Sequence, residues 1–234
     1  MKHTIQFLVV VFLFAVVIIG CKNDSTAPGG GGGGGAATTY IGTIGGSQSG
    51  VLTLNFSSAP HKQMPSSVSS AETVLTLTGT IKVGSVTTNL TGTYNTADSS
   101  LFLEGGNFFF SGKWTGTGII GSYTYSGSPA GYFSVVPAAQ GTTIKVYLGS
   151  YQETSPATTN HGTLNITVNG TAITVNTGDG SVITGTLIGN AITIYEGSQV
   201  IANGTLNGTT MSGTYNVPSS GGTESGTWTA TLAQ

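Results

Sequence analysis

From Tyr40 to Gln234 the apolar residues recur at every second position. That period fits a strand with one apolar face and one wet face, and it does not fit a helix. Leu52, Leu54 and Phe56 alternate with Thr53 and Asn55, and Leu75 and Leu77 flank Thr76. Leu164, Ile166 and Val168 alternate with Asn165 and Thr167, and Trp228, Ala230 and Leu232 with Thr229 and Thr231. Turn signals separate the runs: Gly105-Gly106, Asn169-Gly170, Asp179-Gly180 and Asn207-Gly208. Asn-Gly and Asp-Gly supply the positive φ that tight hairpins need. Strands with one wet face and short connections pair with their neighbours, which predicts an antiparallel meander.

The pattern is also duplicated. Leu103-Glu104-Gly105 returns as Tyr195-Glu196-Gly197, Gly112 as Gly204, and Gly116-Thr117 as Gly208-Thr209, all at one offset. Upstream, Gly50-Val51-Leu52-Thr53-Leu54 returns as Gly162-Thr163-Leu164-Asn165-Ile166 at a larger offset, because the first copy carries an extra segment. A shared grammar of glycine, any residue, then an aromatic runs through Gly121-Ser122-Tyr123, Gly213-Thr214-Tyr215 and Gly226-Thr227-Trp228. The expected fold is all-β, with two tandem duplicated domains over 40–138 and 139–234. Each copy has strands enough for a small closed barrel, and closure removes the free edges that so few charges could guard. A sandwich is the next choice, then one larger barrel or sheet shared by both copies. A barrel of this size is expected to be filled by side chains rather than hollow. A membrane-spanning barrel fits less well, since it needs longer strands and an outward apolar band.

The N-terminus follows a different logic. Lys2 precedes an unbroken apolar run from Phe7 to Ile19, and Ile18-Ile19-Gly20-Cys21 closes it. The run is too short to cross a bilayer as a helix and suits a signal core. The four closing residues resemble the lipobox of bacterial lipoproteins. The resemblance implies that residues 1–20 are a signal peptide cut before Cys21, and that Cys21 then carries acyl chains that bind the membrane. Cys21 is the only cysteine, so no disulfide can form within the chain. Lys22 rather than Asp follows it, which in that class implies an outer-membrane location, on the periplasmic face or the cell surface. Residues 21–39, with glycine at every position from 29 to 35, read as a flexible tether.

Charged residues make up 6% of the chain, against about 25% in an average globular protein, and there is no arginine. Nucleic acid is excluded as a partner, because phosphate binding needs clustered Lys and Arg. No nucleophile, base and acid form a recognisable set, so an enzyme is not expected. His61 and His161 have no second ligand at metal spacing, so neither a metal nor another cofactor is expected. Glu104 and Glu196 occupy matching places in the repeat and read as rim carboxylates in separate copies rather than as a catalytic pair.

Two features are candidates for binding. The insert from Ser57 to Ala71, unique to the first copy, offers His61, Lys62 and Met64 on a loop. Phe109, Tyr125 and Tyr132 are candidate exposed rings, suited to sugar, to a protein, or to contact between the two copies. The function expected is a non-enzymatic, lipid-anchored binding or scaffold module. Its partner would be a glycan, an envelope protein, or a small apolar ligand carried inside a barrel. A structural surface component is the alternative.

Overall fold

The computed structural model describes residues 38–57, 74–138, 142–155, 161–219 and 222–234, all within one unit, Gly34–Gln234. The leader, Cys21, nearly all of the tether and the loop of His61, Lys62 and Met64 lie outside the described residues. The body is all-β, as the alternation requires.

The first copy is β1 (Thr39–Gly46), β2 (Gly50–Phe56), β3 (Val74–Val83), β4 (Val86–Asn95), β5 (Ser100–Gly105), β6 (Phe108–Trp114), β7 (Ile119–Tyr125) and β8 (Ser128–Pro137). These strands pair in chain order, and β1 pairs back with β8 to close the ring. The second copy is β9 (Ile144–Ser155), β10 (His161–Thr163), β11 (Asn165–Asn169), β12 (Ala172–Asn176), β13 (Val182–Ile188), β14 (Ala191–Glu196), β15 (Gln199–Asn207), β16 (Thr210–Ser219) and β17 (Gly222–Leu232). Here β9 pairs with β17 to close the ring. β10 and β11 lie along the same edge of β9, with Gly162 opposite Tyr151 and Ile166 opposite Tyr147. They act as one strand interrupted at Leu164, so both copies are closed antiparallel barrels of eight staves.

The duplication is visible in the register. Gly42 lies opposite Val135, and Gly149 opposite Ala230. Gly112 faces Gly121, which faces Phe133; Gly204 faces Gly213, which faces Trp228. The glycines are needed because a ring lies on bare backbone. A Cβ on Gly112 would stand 2.6 Å from Phe133 Cζ, and one on Gly204 only 2.4 Å from Trp228 Cζ2. The hairpin glycines Gly170 and Gly208 have φ of 63° and 61°, as the Asn-Gly turns demand.

Inside the first barrel, Leu52, Leu54, Leu77, Ile81 and Leu103 are buried among Tyr94, Phe110, Tyr123 and Phe133. Full burial of each such side chain contributes roughly 1.5–3 kcal/mol. Outward positions of β3 and β4 include Thr76, Thr78, Thr91 and Thr93, all exposed.

The two barrels touch along β1 and β8 of the first and β11 and β12 of the second. Val51, Ile144 and Val146 are buried there beside Ile41, Val136 and Leu148. Two asparagines at paired positions, Asn165 and Asn176, carry the polar part and are completely buried. Asn165 Nδ2 donates to the Ile44 carbonyl at 2.7 Å, and its Oδ1 accepts from Ser49 Oγ at 2.9 Å. Asn176 Nδ2 donates to the carbonyls of Tyr132 and Thr43 at 3.1 and 3.3 Å. A buried amide left without partners costs about 1–3 kcal/mol, so this geometry fixes one docking of the barrels.

Candidate functional site

A meander brings every second turn to the same end of its barrel. In the second copy that end collects the β12–β13 and β14–β15 turns and the paired ends of β16 and β17. A cavity of about 210 Å³ opens among them. Leu164, Ile194 and Trp228 reach it from the core, Tyr151 and Tyr215 stand in its wall, and Asp179, Glu196 and Glu224 line it. The two phenol rings meet edge to face, with centroids 5.9 Å apart. Trp228 is 3% exposed, and its Nε1–H has no hydrogen-bond partner among the described residues.

The cavity exists because rings present in the first copy are missing from the second. In the first barrel Leu103 lies opposite Phe110; at the same place in the second, Ile194 lies opposite Ala202. Tyr123 and Tyr215 correspond, facing Gly131 and Gly226, and two residues further on Tyr125 is replaced by Val217. β15 contains no aromatic residue at all. The corresponding end of the first barrel also has a recess, of about 300 Å³, but Ile81, Phe108 and Tyr125 floor it and no carboxylate lines it. Both barrels are thus filled through their cores, and at this end they differ in what lines the recess.

Electrostatics at the mouth are one-sided. Burial pushes the Tyr151 phenol up, and Asp179, Glu153 and Glu224 add to the rise. Burial also raises Tyr215, with Glu153, Tyr151 and Glu224 contributing. Both phenols stay protonated and can donate. Burial works against the Asp179 carboxylate, yet hydrogen bonds from Thr177 and Ser181 outweigh it and hold its pKa below the ordinary value. Its Oδ1 accepts from Thr177 Oγ1 at 2.6 Å and from the Ser181 amide at 2.9 Å. No three His, Cys, Asp or Glu side chains come together as metal ligands among the described residues.

Glu104 and Glu196 are not equivalent, contrary to the sequence match. Thr91 faces Glu104 and Gly92 faces Leu103, whereas Thr184 faces Tyr195 and Gly185 faces Ile194. Tyr195 thus stands where Glu104 does, and Glu196 where Gly105 does. A bulge at Ile201 on β15, opposite the Ile194–Tyr195 step, absorbs the difference. One residue of slip reverses the face of a strand, so Glu104 points out and Glu196 borders the cavity.

The other sequence candidates are scattered. Phe109 is outward and 44% exposed, between the inward Phe108 and Phe110. Tyr125, expected as an exposed ring, instead packs on the first core with its centroid 4.8 Å from Phe108. Tyr132 is 40% exposed, and its ring lies against Gly180 of the second barrel. His161 is exposed on β10 and does not line the cavity. Asp179, Glu196, Glu224, Tyr151 and Tyr215 were not singled out as one site. The signal that could have found them is the meander itself, since residues near alternate turns must share an end. The chain matches no protein-family model and no curated protein.

Proposed function

We propose that this chain is a lipid-anchored envelope protein whose second barrel is a non-enzymatic binding module for a small ligand. The carrying observation is the contrast in lining: Ile81, Phe108 and Tyr125 floor the recess of one copy, whereas Ala202, two phenols and three carboxylates line the cup of the other. The residues that line the cup include hydrogen-bond donors, carboxylates and ring faces, the mixture found in small-molecule sites. Attachment through Cys21 rests on the lipobox resemblance, and the glycine tether after it would hold the barrels off the bilayer. Because both sheets close, assembly by strand-edge pairing has little to work with, and the structural-component alternative is not favoured.

The test uses the two tryptophans of the chain. Trp114→Phe leaves Trp228 as the only indole, placed at the cup. Titration with monosaccharides, amino alcohols and short acyl chains is expected to shift its emission in a saturable way for one class. Ala202→Phe, which restores the ring present in the first copy, is expected to abolish the shift while the circular dichroism spectrum stays that of a β protein. A flat titration throughout the panel, or one that Ala202→Phe leaves unchanged, overturns the binding reading. Mass spectrometry of the mature N-terminus tests the anchor independently; an unacylated Cys21 removes it.

A further inference from the structure

The second barrel carries its charge at opposite ends. Its carboxylates are Glu153, Asp179, Glu196 and Glu224, and its single lysine is Lys145. Asp179, Glu196 and Glu224 line the cup, and the buried Glu153 acts on both of its tyrosines. Lys145 faces Val168, beside the Asn169-Gly170 turn at the far end of the barrel. In a chain with so little charge, this is a concentrated negative field over a cup walled by three aromatic rings.

From this arrangement we infer that the cup binds a small organic cation, an ammonium carried on a hydroxylated carbon body such as an amino alcohol or an amino sugar. The inference rests on the binding reading above and assigns its ligand class. An anion would meet the carboxylates and no lining cation. A purely apolar ligand would cover those carboxylates without offering them a partner, which is costly. An ammonium satisfies them and is also attracted to the faces of Tyr and Trp. The hydroxyl requirement comes from the donors. The Tyr151 and Tyr215 phenols stand in the wall of the cup and keep their protons. These donors call for oxygen acceptors on the ligand.

The experiment compares cationic and neutral molecules of the same shape, using the full chain with Trp114→Phe and Trp228 as reporter. Choline is paired with 3,3-dimethylbutan-1-ol, and glucosamine with glucose. In at least one pair the ammonium member is expected to bind about tenfold or more tightly than its neutral partner, in keeping with a desolvated cation over rings. The pair that shows this separates the amino alcohol from the amino sugar. Glu196→Gln and Glu224→Gln change exposed side chains and keep the fold; each is expected to weaken the ammonium member several-fold and leave the neutral one unchanged. Neutral members that bind as well as their ammonium partners overturn the cation assignment and leave the cup a binding site. Absence of saturable binding by both choline and glucosamine overturns the assignment as well. Only a titration flat throughout the wider panel, or one insensitive to Ala202→Phe, reaches back to the binding reading itself.

Discussion

The two barrels share strand order, closure and glycine positions, and they differ in what fills one end. In the first, Phe108, Phe110, Tyr123 and Tyr125 form a run of rings, with Phe110 5.6 Å from Tyr123 and 5.5 Å from Phe133. In the second, the same end keeps Tyr215 and Trp228, and gains three carboxylates. The difference teaches how a duplicated scaffold divides its labour. The first copy has Phe110 and Tyr125 where the second has Ala202 and Val217, and the second has a cup on a barrel that keeps the strand order but bulges opposite Ile194 and breaks one stave at Leu164. The Asn165 and Asn176 amides hold the cup's barrel against the filled one, so the better-packed copy braces the one with the opening.

The largest expected effect comes from emptying the filled copy. Phe133→Ala is expected to cost about 3–5 kcal/mol in denaturant unfolding, because a fully buried ring leaves a void above Gly112 and Gly121. Val217→Ala at the mouth of the second barrel is expected to cost about 1 kcal/mol or less, since it borders space already open. Equal costs would mean that the two ends are equally packed.

Next is the brace. Asn165→Ala and Asn176→Ala are each expected to cost about 1–3 kcal/mol by orphaning buried backbone carbonyls. The double variant is expected to turn one cooperative unfolding transition into two, read by comparing Trp114 and Trp228 emission. A single coincident transition in the double variant would show that the apolar contact around Val51 and Val146 suffices. Overpacking gives a comparable contrast. Leu90→Phe inside the first barrel is expected to destabilise by about 1–3 kcal/mol, and Ala202→Val at the cup by less than about 1 kcal/mol.

The smallest effect is a pH dependence in the filled copy. Burial, aided by Tyr94, pushes the Tyr40 phenol up to about 12. An unfolded chain's tyrosine titrates near ~10, so the folded state holds that proton more tightly. The stability from Tyr40 is thus complete below that pH and is lost as pH climbs toward the folded value. Tyr40→Phe is expected to flatten this part of the alkaline decline in unfolding midpoints. An unchanged slope would assign the decline to the other raised tyrosines.

Part of the cup was legible beforehand. The period of two, the Asn-Gly turns and the repeated glycine-aromatic grammar are local signals, and they were enough for two antiparallel barrels. A sequence offset aligns Glu196 with Glu104, because it cannot register the single bulged residue Ile201 on β15, opposite the Ile194–Tyr195 step. Asn165 read as part of an Asn- and Thr-rich wet surface, since its position on the strand is outward; the surface it faces is the other barrel.

What the sequence determined alone was the strand period, the places where the chain turns, and the fact of duplication, because each depends on neighbours within a few residues or on simple recurrence. The tertiary structure decided which end of each ring is lined by aromatics, which carboxylates line one cavity, and which asparagines are buried. Those outcomes depend on register around a closed ring, where one bulge reverses a face and residues far apart in the chain become neighbours.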